Sequence, residues 1–355
     1  MARLLLVNGR IWDGERFFFG DVLVEDTKIA AIADRINETA DIVYDASGKI
    51  ISAGLVDAHV HMRGISIDAY GVSADLSCIP FGVTSAADAG SEQGNKALLS
   101  SHTVKGAAIV PVKVRDNRAD FTNTIPMLEK FGDSAVGVKM VFDAVVPALR
   151  DTAPLAEACE FAHKRGLSVT VHTTGSPTPM YEVFRTVGRG DIITHSFHGG
   201  RNNAADDGFA SMKEAMERGV YIDIGFAGHV HTDFKILKAA IDSGIVPDII
   251  STDITKLSCY KRGGIYGMIM CMSIARHLGM TEGDVMRAVT STPAAALGKE
   301  GVWGRLYVGG PADIAVLDES GDGFDLTDAA GNNIKSDKGY RARLTVIDGE
   351  IVFRC

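Results

Sequence analysis

Ile50-Ile51-Ser52-Ala53-Gly54-Leu55-Val56-Asp57-Ala58-His59-Val60-His61-Met62-Arg63 is the stretch on which the fold turns. It opens as an apolar run of strand length and closes on two histidines one residue apart. Alternate side chains of an extended strand leave on the same face, so His59 and His61 point into one space. Two imidazoles side by side at a strand end can both reach one cation. Taken alone the pair has an ordinary alternative, a polar strand end with two hydrogen-bonded histidines. The rest of the chain decides between them.

Downstream of this stretch, apolar runs of strand length recur at 83–87, 107–114, 136–141, 167–171, 192–194, 220–224 and 249–250, after the first at 55–58. Amphipathic stretches such as 153–165, 210–218, 235–243 and 267–278 lie between them. Arg165-Gly166 and Arg218-Gly219 read as helix ends capped by glycine. Eight strands alternating with helices over 53–303 has the size and rhythm of an α/β fold of the (β/α)8 TIM-barrel type. A doubly wound open sheet would alternate too, but no GxGxxG follows the first run and no P-loop occurs.

Upstream, residues 1–52 break short apolar runs with Asn8-Gly9, Asp13-Gly14 and Gly20-Asp21, the punctuation of antiparallel hairpins. Runs at 314–317, 344–347 and 351–353, with a turn at Asp348-Gly349, match them from the other end. The two ends are therefore expected to join in a small β-sandwich domain, 1–52 with 304–355, beside a barrel domain at 53–303.

Composition narrows the function. Thirty-six basic against 45 acidic residues give a net charge of −9, which argues against a nucleic-acid partner. Five scattered cysteines without a CxxC pair fit free thiols in a reducing compartment. The apolar run at the start breaks after four residues, and nowhere is there a run long enough to span a membrane. The expectation is a cytoplasmic protein with no membrane partner and a small-molecule substrate.

In a barrel of this kind the chemistry sits at the C-terminal ends of the strands. The first run ends in His59 and His61, the fourth in Lys139, the fifth in His172, the sixth in His195 and the eighth in Asp253. Each has an ordinary alternative: a snorkelling lysine, a structural histidine, a helix-capping aspartate. Those alternatives are independent of one another, whereas the placements agree. Six groups on one mouth point to metal.

The order HxH, Lys, His, His, Asp across a barrel resembles the amidohydrolase superfamily in its two-metal form. Gly54-Leu55-Val56-Asp57-Ala58-His59 resembles the signature of its first strand, and Thr292-Pro293-Ala294-Ala295-Ala296-Leu297-Gly298 the segment after its eighth. Gly304-Arg305-Leu306, Gly309 and Ala312-Asp313-Ile314-Ala315-Val316 resemble its return into the small β domain, and His61-Met62-Arg63 extends the first motif to HxHxR, as in dihydroorotases. The resemblance covers the whole chain and points to the dihydroorotase-like group of amidohydrolases and deacetylases.

That resemblance implies a site. A protonated lysine has no lone pair for a cation. Lys139 would therefore be carboxylated by carbon dioxide, bridging two divalent metal ions, with zinc the best fit. His59 and His61 would hold one ion, His172 and His195 the other, with Asp253 on the first. A hydroxide bridging the pair would attack the substrate, and Asp253 would move its proton to the leaving group. Arg63 would take a substrate carboxylate, and Tyr260, with Lys261 and Arg262, would add contacts. His198, His229 and His231 read as ordinary loop histidines, and 199–203 has the composition of a mobile cover. The implied activity is metal-dependent hydrolysis of an ester or amide beside a carboxylate, foremost deacetylation of α-acyloxy or N-acyl acids. The alternatives are a cyclic-amide hydrolase, of dihydroorotase or hydantoinase type, and a non-catalytic scaffold of the same fold. Members of the superfamily often oligomerise, and a homo-oligomer stays open.

Overall fold

The apolar run after Gly54 forms the first strand of a parallel sheet, Leu55–Val60, buried along its whole length. The computed structural model describes residues 3–228, 230–260 and 267–355. In it the strands Val83–Ala89, Lys105–Arg115, Ala135–Val141, Ser168–His172, Ile192–Thr194 and Tyr221–Ile222 add to the first in chain order. Every neighbour pair among them is parallel. Strands buried on both faces need continuous apolar runs, which is what the sequence supplies.

The eighth run does not make a strand of its own. It closes the ring through single parallel bridges, Asp223 to Ile249 on one side and Val60 to Ile254 on the other. Asp253 donates its amide to the carbonyl of His59 (2.8 Å), and His61 donates to that of Ile254 (3.1 Å). Asp253 sits at φ +45°, outside the extended region, and this interrupts the ladder while turning its side chain to the mouth.

Helices cover the outside. Phe234–Asp242 shows why they form: Asp233 caps it by accepting the amides of Lys235 and Ile236, and Phe234, Leu237 and Ala240 bury one stripe. The expected glycine stops hold, with Gly166 at φ +68° and Gly219 at φ +88°.

Strands from both ends of the chain build a separate eight-stranded sheet. Ile314–Gly321 pairs antiparallel with Ile50–Ala53, so the returning chain docks on the strand that leads into the barrel. Leu6, Ile11, Val24, Ile314, Val316 and Leu344 are among the side chains of its own apolar core. Two details differ from the sequence reading. Asn8-Gly9 is not a hairpin turn: it lies inside the single strand Leu4–Trp12, where the register with Phe17–Glu25 shifts. The same strand changes partner there, from Ile42–Asp45 to Ile50–Ala53, and Asn8 at φ +61° absorbs the change. The hairpin of Phe324–Thr327 with Asn333–Ser336 was not legible either. Its turn reaches the barrel, where Asp328 accepts the amide of Phe234 (2.7 Å) and Asn332 donates to Asp233 (3.1 Å). Among the described residues no helix is long and apolar enough to cross a membrane.

Candidate metal centre

The strand ends bring their polar side chains together. His59 Nε2 and His61 Nε2 lie 3.2 and 3.1 Å from Asp253 Oδ1, although Asp253 is nearly two hundred residues away in sequence. His172, His195 and His231 form a second group, and within each group all the donor atoms lie within 4.8 Å of one another. Asp253 stands between the two, with Oδ2 3.7 Å from His195 Nε2 and 3.9 Å from His231 Nε2.

The hydrogen bonds behind the histidines fix which nitrogen faces inward. Ser66 Oγ donates its one proton to the buried Asp88 (2.8 Å), so it can only accept from His61 Nδ1, 2.9 Å away. Thr194 Oγ1 donates to Asp223 (2.6 Å) and accepts from His59 Nδ1 (3.2 Å). Thr174 Oγ1 donates to Asp143 (2.5 Å) and accepts from His172 Nε2 (3.1 Å). In each case a carboxylate acts on an imidazole through a hydroxyl. His195 Nδ1 donates directly to the carbonyl of Gly225 (2.6 Å), and a Cβ on Gly225 would lie 2.5 Å from that nitrogen. The bare lone pairs are therefore Nε2 of His59, His61 and His195 and Nδ1 of His172.

Two such lone pairs, those of His59 and His61, face one oxygen of the Asp253 carboxylate. His195 Nε2 is buried without any hydrogen-bond partner among the described residues. A divalent cation would satisfy this set, since neutral nitrogen donors and a carboxylate oxygen are its usual ligands. His195 and Asp253 both hold positive φ, +62° and +45°, a strain that locates function as well.

Burial pushes His59 below the ordinary histidine range, and His172 and His195 well below it, which keeps the imidazoles neutral and able to ligate. Lys139 is buried, its Nζ 2.7 Å from His59 Nε2, and burial lowers its pKa toward the free amine. All six ligand candidates thus meet at one end of the barrel. His231 joins them, although it reads in the sequence as an ordinary loop histidine. It follows the seventh strand by several residues, so no strand period marks it. His198 is buried beside the site, and His229, Lys261 and Arg262 lie outside the described residues.

A cavity of about 670 Å³ opens on the centre. Lys139, His61, His172, His231 and Asp253 line it, together with apolar side chains that include Ile67, Val112, Val114, Val141 and Val146. Arg63 is exposed and does not line it: the strand ends at Val60, and the chain bends so that Arg63 donates its amide to Val72. Tyr260 is 82% exposed and is not in the cavity wall either. Among the described residues, the basic side chain that lines it besides Lys139 is Lys113, which pairs with Glu92, also in the wall, at 3.1 Å.

A family model described as the amidohydrolase family matches residues 81–353. The chain belongs to that family. The match starts beyond His59 and His61, so the first ligand pair rests on geometry. Among curated relatives, this amidohydrolase is 28% identical to a deacetylase of Brucella anthropi over 94% of this chain and 87% of that one. It is 26% identical to a deacetylase of Enterococcus faecalis, over 98% of each. Among solved structures it superposes on a dihydroorotase with a TM-score of 0.86 at 25% identity, covering 100% of this chain and 98% of the other. An adenine deaminase follows at 0.84 and 25%, covering 98% of both. The amidohydrolase is thus a hydrolytic enzyme whose donor set fits metal.

Proposed function

We propose that this amidohydrolase is a two-metal acyl hydrolase. It removes an acetyl or similar group carried on oxygen or nitrogen beside the carboxylate of a small acid. The observation that carries the reading is the pair of donor groups, His59–His61–Asp253 and His172–His195–His231, set on one cavity with Lys139 against His59. The full-length deacetylase relatives support the acyl transfer to water over ring opening.

Two divalent ions, zinc by the donor chemistry, would polarise the scissile carbonyl and bring the pKa of water toward neutrality. Lys139 in its free-amine form can add to carbon dioxide: the nitrogen lone pair bonds to carbon, a proton leaves, and an anionic oxygen donor results. Asp253 takes the proton of the attacking water on one carboxylate oxygen and gives it to the leaving oxygen or nitrogen. The valine-rich wall receives the apolar part of the acid, and Lys113, released from Glu92, holds its carboxylate in place of the exposed Arg63.

The test offers O-acetyl lactate, N-acetylalanine and dihydroorotate to the metal-loaded protein. Acetate release from one of the first two is expected to exceed dihydroorotate turnover by at least about tenfold in kcat/KM, with Lys113→Met raising KM for the acid about tenfold. Turnover of dihydroorotate alone would move the assignment to cyclic amides. Inertness toward all three would remove this substrate class.

A further inference from the structure

The two donor groups differ in kind. His59, His61 and Asp253 include a carboxylate, whereas His172, His195 and His231 are three imidazoles. The ligand set expected from the sequence gives the second ion only His172 and His195, and relies on a modified Lys139 to complete it. His231 brings a third nitrogen from the chain itself, and that changes what the second site requires.

Three histidine nitrogens with one open position are a known type of zinc site, which needs no anionic ligand. The three donor atoms lie within 4.8 Å of one another, so small ring movements bring them to zinc–nitrogen bonds of about 2.0–2.1 Å. His195 is fixed in place: its ring is fully buried, Nδ1 donates to Gly225, and Nε2 has no hydrogen-bond partner among the described residues. His172 is held from behind by Thr174. His231 has room to complete the set, because it stands in the walls of two cavities. One is the main cavity. The other is a side cavity of about 370 Å³, lined also by Ala329 and Ala330 from the turn of the C-terminal hairpin.

Lys139 serves the other group. Its Nζ lies 2.7 Å from His59 Nε2 and donates to it, so the amine occupies the lone pair that the first ion needs. Addition of carbon dioxide changes this. Nζ bonds to the carbon, one N–H proton passes to water, and the two new oxygens share a negative charge that favours an ion. The first ion therefore waits on the modified lysine, and the second does not.

We propose that His172, His195 and His231 form a zinc site complete in itself, which keeps its ion whether or not carbon dioxide has added to Lys139. Carbon dioxide then governs the first ion alone, and the protein passes through a one-metal form. This division rests on the two-metal part of the function proposed above and not on its substrate.

Zinc counting tests it. Chelator-stripped protein is loaded with zinc in buffer purged of carbon dioxide, or in the same buffer with bicarbonate, and its metal is measured after gel filtration. Wild type is expected to keep one zinc per chain without bicarbonate and two with it. In purged buffer, His231→Ala should lower zinc affinity in chelator competition by at least about 100-fold, the upper end of what a partner behind a ligand is worth. His61→Asn, which cuts into the first group, should leave that ion in place. No zinc without bicarbonate but two with it would overturn the three-histidine site and leave the two-metal function standing. Two zincs in purged buffer, or a single one that survives His231→Ala, would overturn the proposal as well. One zinc in both buffers, lost in His231→Ala, would keep the three-histidine site and remove the two-metal function.

Discussion

Asp88 touches none of the facing donor atoms, yet it decides which nitrogen of His61 is bare. Its carboxylate takes the proton of Ser66, and Ser66 in turn takes that of His61 Nδ1. In Asp88→Asn the amide can donate to Ser66, whose hydroxyl then turns toward His61 and moves the ring proton to Nε2. Affinity for the first metal should fall about 10–100-fold in chelator competition, with near-ultraviolet circular dichroism unchanged. Undiminished affinity would show that the hydroxyl relay does not set the tautomer. At this scale the sequence was informative wherever a residue ends an apolar run: His59, His61, Lys139, His172 and His195 stand in, or one residue beyond, a strand. Arg63 could not be placed in this way, because three residues past Val60 the chain has already bent away, with its amide on the carbonyl of Val72. His231 and the aspartates behind the hydroxyls were invisible for a related reason. Their partners are chosen by tertiary contact and not by spacing.

Among the elements, the helices and barrel strands were legible from apolar period and glycine stops, while the eighth strand was legible only as a run of residues. Its ladder is reduced to bridges, and it depends on contacts such as that of Asp248, whose carboxylate accepts the amide of Ile222 at 2.9 Å. Burial pushes Asp248 up to about 6. An acid whose folded pKa is raised holds its proton longer in the native state, so its stabilising contribution is full below about pH 4 and is lost as pH rises through 6. Asp248→Asn keeps the acceptor and removes the titration. Relative to wild type, its Tm should therefore be higher at pH 7.5 than at pH 4, and an equal difference at both would refute the assignment. The C-terminal hairpin shows the opposite limit. Asp325, Asn332 and Asn333 give it a polar, turn-rich sequence, and it holds its place through Asp328 and Asn332 on the capped end of a barrel helix.

For the molecule as a whole, the two ends of the chain announce their pairing by matched strand-and-turn patterns, and the middle announces a barrel by its changed period. What no local pattern announces is that the strand-rich part reaches the barrel mouth. There its hairpin turn supplies part of the side cavity, so a region that looks like a support also borders the site. The hydrolytic chemistry depends on the strand ends and on His231, which follows the seventh strand on a loop. The central claim concerns those ends: that His59, His61, Lys139, His172, His195 and Asp253 gather two ions. An anomalous-difference map at the zinc edge, from crystals grown with zinc and bicarbonate, tests it most directly. Two peaks are expected, one in reach of His59 Nε2, His61 Nε2 and Asp253, the other of His172 Nδ1 and His195 Nε2, with density extending from Lys139 Nζ between them. A map with no peak at the barrel mouth, or with zinc bound only elsewhere, would contradict the account.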